Sequence, residues 1–207
     1  MTQSIIPKQR KGAKSDSSYH VRTSSDAKAR KLYQHARLNL FDVNNWHLLI
    51  GSDAAKFQLI NENGEEIQAH VEKGNYIRIS VAGIPHSDAG DGDEWVFVEK
   101  IEEGKLKYHE YTAIRVRPAV PPFIDKNETA HFFSDDATSS FSVERNNHKV
   151  SATISGRNEV PNTDTKSPFR WLRNVVVALG AMLGLNKPVW KKLAKGLLEK
   201  KNSGIQS

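Results

Sequence analysis

Between Lys56 and Arg157 the apolar residues of this chain recur at every second position, in seven short runs punctuated by Gly, Asn, Asp and Pro. Alternation of that kind gives each run one apolar and one polar face, the pattern of half-buried β-strands. The runs are KFQLINE, EEIQAHVE, NYIRISVAG, EWVFVEKIEE, YTAIRVRPAV, SSFSVERN and HKVSATISGR. Two connections have hairpin length, the Asn-Gly turn in NENGEE after Ile60 and RNNHK between the last two runs, so an antiparallel meander is expected. RPAVPPFIDKNE, with three prolines that remove three ladder donors, reads as a connector.

The flanks change period. Ser24, Ser25 and Asp26 are helix-capping residues, and Ala29, Leu32, Tyr33, Ala36 and Leu40 follow at helical spacing. After a break at Asn44 and Asn45, a second short helix carries Trp46, Leu49 and Ile50 and stops at Gly51. Towards the C-terminus, Ser167 and Pro168 open a helix striped by Phe169, Leu172, Val176, Leu179 and Leu183, with a stop at Gly184. Asn186 and Pro188 restart it, with Trp190, Leu193 and Leu197 on one side and Lys191, Lys192, Lys195 and Glu199 around the other.

These elements predict an α+β fold: an antiparallel meander sheet of six or seven strands, two N-terminal helices, and a C-terminal helix packed on the sheet. Residues 1–18 are expected to be a disordered basic tail, 19–185 a single α+β domain, 186–201 a basic amphipathic helix, and 202–207 a disordered tail. From Tyr19 to Leu185 the element order resembles the helix-grip architecture of the START-like superfamily, in which a curved sheet wraps a C-terminal helix around a cavity. A half-open barrel is the competing architecture. The stretches NVVVALGAMLGLNKPVW, NNW and GRNEVPN also resemble a family of bacterial hypothetical proteins, a resemblance that implies no activity.

The absence of cysteine removes disulfides, thiolate nucleophiles, cysteine-held zinc and iron–sulfur ligation together. The opening residues lack the apolar segment of a secretory signal, so a cytoplasmic chain is expected. The longest apolar run, Val175 to Leu183, is about half the ~20 residues that span a bilayer. The net charge of +6 is divided unevenly: residues 1–31 carry eight Lys and Arg against two acids, residues 166–207 nine against one, and the body between them is acidic. Basic ends of this kind serve solubility, or bind an anionic surface such as membrane or nucleic acid.

Asp88, Asp91 and Asp93 lie in SDAGDGDEW, but Trp95 and Val96 occupy the positions where a calcium loop starting at Asp91 needs a ligand and a glycine. A looser cation site and a plain acidic turn stay open; no cofactor is expected. The eight histidines include no pair at i, i+4. His109 and Glu110 point to opposite faces of a strand, whereas His109 and Tyr111 share one. Arg115 and Arg117, two apart on one strand, share a face too and either grip a carboxylate or phosphate or pair with acids such as Glu99 or Glu144. SGRNEVPN places Arg157 and Asn158 beside Gly156, either as turn chemistry or as a ligand contact. Trp190 with Lys191, Lys192 and Lys195 has the composition of a membrane- or partner-docking helix, and equally of a solvated helix packed through Trp190. The expectation is a non-enzymatic binding module for a small apolar ligand or a protein partner. The alternatives are an adaptor on anionic membrane or nucleic acid, and an enzyme built on His109 or the Asp88–Glu94 loop.

Overall fold

The computed structural model describes residues 5–51, 55–81, 93–119, 121–123, 137–159 and 187–199. The loop holding Asp88 and Asp91, the helical stripe from Phe169 to Leu183 and the second half of the Pro-rich connector lie outside them.

The chain runs β1 (Ala13–Arg22), α1 (Asp26–Phe41), a 3-10 turn (Val43–Asn45), α2 (Trp46–Ile50), β2 (Ala55–Ile60), β3 (Tyr76–Val81), β4 (Glu94–Lys105), β5 (His109–Pro118), β6 (Thr138–Asn146), β7 (Lys149–Glu159) and α3 (Lys187–Leu198). The seven strands form one antiparallel sheet in the order β1-β7-β6-β5-β4-β3-β2, curled into a half-barrel with the helices on its concave face. Six of the seven alternating runs are strands of this meander. The exception is EEIQAHVE, a loop with a single bridge from Glu66 to Ile60. Its alternation is genuine, but the Leu59 N–H on edge strand β2 is taken by the Asn44 side chain, the run's own Ile67 N–H donates to the Leu59 carbonyl, and of the run's apolar residues only Val71 is buried.

Helix α1 starts where the capping residues require: the Ser25 hydroxyl accepts the Lys28 N–H at 3.3 Å. Ala29, Tyr33, Ala36 and Leu40 form its buried face. Its N-terminus is tied to the sheet by Arg145, which is 0% exposed and donates to Glu110 on β5 at 2.7 Å and to Asp26 at 2.6 Å. The centre of the core is aromatic: Trp46 meets Phe57 at 5.5 Å and Phe141 at 4.8 Å, and Phe141 meets Trp190 of α3 at 5.7 Å.

Two boundaries differ from the sequence reading. The first strand begins at Ala13 and pairs with β7 along its length, so residues 13–18 are sheet and not tail, and Ile5 is fully buried. Helix α3 is not a separate appendage, because Trp190, Leu193, Ala194, Leu197 and Leu198 belong to the one core. Among the described residues no helix is long and apolar enough to cross a membrane.

Candidate functional site

The site is built on two β-bulges at one end of the sheet. Between β4 and β5, Val98 faces Val116 while Lys100 faces Arg115, which leaves Glu99 as an extra residue on β4. A bulge re-aims the side chain it carries. Glu99 is thereby set against Arg115 and Arg117 and ion-pairs with both guanidinium groups. Of the two partners expected for this arginine pair, Glu99 is therefore the one engaged; Glu144 takes the His109 Nε2 at 2.7 Å.

The second bulge is on β7. Ala13 of β1 faces Glu159 and Ser15 faces Gly156, one residue more on β7 than on β1, and Asn158 has a φ of 57°. Left-handed backbone is tolerated by Asn better than by other non-glycine residues. Its side chain then fastens the N-terminal segment across the outer face of the sheet. The Asn158 Oδ1 accepts the backbone N–H of Arg10 at 2.7 Å and of Lys11 at 3.3 Å, and Nδ2 donates to the Lys8 carbonyl at 3.2 Å. The Asn158 N–H donates to the Gln9 side chain at 3.0 Å, and Arg115 Nη1 donates to the Ile5 carbonyl at 3.0 Å.

Beneath this strap lies a pocket of about 340 Å³ lined by Lys8, Arg10, the Glu99–Arg115–Arg117 cluster, Thr138 and Asn158. The buried hydroxyls of Thr138 and of Ser140, which sits opposite Arg115 in the sheet register, have no hydrogen-bond partner among the described residues. Three of the four expected ligand-binding residues, Arg115, Arg117 and Asn158, thus converge. The fourth, Arg157, is held elsewhere: it donates to the Ser15 and Gly156 carbonyls at 2.9 and 2.7 Å and to Asp16 at 2.7 Å, clamping β1 to β7. Sequence reasoning missed Lys8, Arg10 and Thr138. For Lys8 and Arg10 the signal was the Ile5–Pro7 stretch, an apolar interruption in an otherwise polar segment; for Thr138 there was none.

The other candidates are used structurally. Asp93 ion-pairs with Arg78 at 3.3 Å, and among the described residues no group of three His, Asp or Glu is arranged to hold a metal ion. His109 and Tyr111 stack on one face with ring centroids 5.7 Å apart, while Glu110 is spent on Arg145 on the other. On α3, Trp190 is the packing residue and Lys191, Lys192 and Lys195 are exposed, the solvated-helix arrangement of the two considered. A second pocket of about 340 Å³ lies between Asn44, His47, Lys56 and Arg78, but Asn44 is bonded to Leu59 and Ile67 and Arg78 to Glu66.

Fold and pocket together define an α+β protein, a curled antiparallel meander with helices on one face, carrying a strapped polar pocket on the outer face of its sheet. No family model matches the chain, and no curated protein matches it. Among solved structures it is similar to truncated norcoclaurine synthase from Thalictrum flavum, at 9% identity over 94% of this chain and 100% of that one, with a TM-score of 0.40. It is also similar to major latex-like protein 151 from Panax ginseng, at 11% identity over 83% of this chain and 99% of that one, with a TM-score of 0.33.

Proposed function

We propose that the protein is a binding module and that its ligand carries an anionic group, a phosphate or carboxylate, seated in the strapped pocket. The supporting observation is the charge balance there: four cationic residues and one carboxylate, Glu99, line the pocket, beside a Thr138 hydroxyl that has no hydrogen-bond partner among the described residues. Guanidinium pairs bind such groups through parallel charge-assisted hydrogen bonds. Isothermal titration with inorganic phosphate and with acetate tests this. Saturable binding that weakens about tenfold in Arg117→Gln supports it. Absence of binding to either anion, or binding unchanged in both Arg117→Gln and Lys8→Gln/Arg10→Gln, overturns it.

A second reading, an adaptor on an anionic surface, draws on the exposure of Lys191, Lys192 and Lys195 together on α3. With Trp190 in the core, such contact would be electrostatic and not insertive. It predicts binding to anionic vesicles that falls steeply with salt and is lost in the triple Lys→Gln variant. Vesicle binding unaffected by salt or by that variant ends it.

A further inference from the structure

The bulge at Asn158 has a second effect, on the opposite face of the sheet. With one extra residue in β7 the alternation slips, and Glu159 folds back on the side towards which a Gly156 side chain would point; a Cβ there would collide with the Glu159 carboxyl and the Ser15 hydroxyl. Glu159 is 6% exposed, and among the described residues neither of its carboxyl oxygens has a hydrogen-bond partner. It borders a small pocket of about 10 Å³ walled by Val96 of β4, Val116 and Pro118 of β5, and Ala137, Thr138 and Ser139. That is room for one water-sized group. Among the described residues the one charged group acting on Glu159 is Arg157, whose guanidinium is already bonded to Asp16 on the outer face.

A buried carboxylate with free lone pairs is compensated by a proton, a water or a cation. Water supplies donors but leaves the charge uncompensated among valines. A primary ammonium group fits the same volume, offers three donors and neutralises the charge. We infer that Glu159 is the acceptor of a second binding site, on the concave face, that takes a primary ammonium group. Burial, opposed weakly by Arg157, raises the Glu159 carboxyl to about 7, so near neutral pH the empty site trades between proton and cation.

The site shares Thr138 with the strapped pocket but takes a cation in place of an anion, and it is tested separately. In protein carrying ¹³C-labelled glutamate, with the Glu159 signal assigned by Glu159→Gln, the carboxyl is titrated alone, with methylammonium, with butylammonium and with tetramethylammonium. The expected result is a titration near 7 that methylammonium or butylammonium moves down about tenfold in proton affinity, with shifts in the Val96 and Val116 methyl signals, and that tetramethylammonium leaves alone. A response to methylammonium assigns the site to a free small cation or any amine head, and a response to butylammonium only assigns it to the head of a longer ligand; both support the inference. A midpoint in the ordinary carboxylate range overturns it, as does a midpoint near 7 that neither amine moves. Should Glu159→Gln not fold, Val116→Phe, which fills the pocket, must abolish the amine response.

Discussion

Glu159 gives the residue scale its clearest pH dependence. An unfolded glutamate loses its proton near 4.5, while the folded carboxyl holds it up to about 7. The folded state therefore binds more protons across that interval, and stability falls as pH rises from about 4.5 through 7, by on the order of 3 kcal/mol from this group. Glu159→Gln is expected to remove that slope, which denaturant unfolding of both proteins at pH 5 and pH 8 measures. Asp26 and Glu103 act in the other direction: hydrogen bonds from Arg30 and Arg37 hold their carboxyls low, so their stabilisation is present above the ordinary carboxylate range and is lost as pH falls below it. Trp190 offers a second residue-scale expectation. Its buried Nε1 has no partner among the described residues, so Trp190→Phe should cost far less than Trp190→Ala, for which about 3–5 kcal/mol is expected from the cavity beside Phe141. Thermal melts of the two variants distinguish them.

At the scale of elements, two devices hold pieces together through polar groups. Arg145 joins the start of α1 to the β5–β6 pair by pairing with Asp26 and Glu110 at once. Arg145→Ala leaves Glu110 buried without its strong partner and is expected to cost about 3–5 kcal/mol. Arg145→Met with Glu110→Leu should recover much of that loss, because apolar packing replaces two buried charges; urea unfolding of the single and double variants checks it. The strap depends on Asn158 in a comparable way. Asn158→Gly keeps the left-handed backbone of the bulge but deletes the side-chain bonds to Lys8, Arg10 and Lys11. Its expected effect is faster amide hydrogen exchange at Arg10 and Lys11 with little change at β7, whereas Asn158→Val strains the bulge itself and raises exchange in β7 as well.

For the molecule as a whole, α3 closes the concave face and so decides what can be cut. Truncation before Lys187 removes Trp190, Leu193, Leu197 and Leu198 from the core and is expected to abolish cooperative unfolding in a thermal melt. Replacing Lys191, Lys192 and Lys195 by Gln leaves that core intact and should change stability by no more than about 0.5 kcal/mol. The charge variant, and not the truncation, is therefore the means of separating an electrostatic surface role from simple unfolding. The strap and the pocket beneath it lie on the sheet's other side, so binding there and closure of the core are separable.

How much of this was legible follows from which interactions are local. Period-two alternation, the Ser25 cap, the apolar stripe of α1 and the Gly51 stop fixed most strands and both N-terminal helices, because burial on one face and the satisfaction of a helix end depend on near neighbours in sequence. The shared face of Arg115 and Arg117 came from the same rule. What only the tertiary structure decided is non-local. The residues AKSDSS have little strand character of their own and become β1 because the edge of β7 offers them a ladder. EEIQAHVE has the pattern, but the Leu59 N–H on the edge it meets is already held by the Asn44 side chain. Glu99 and Glu159 owe their directions to bulges, which exist only as a mismatch between two paired strands; no single strand's sequence shows which partner will be one residue shorter.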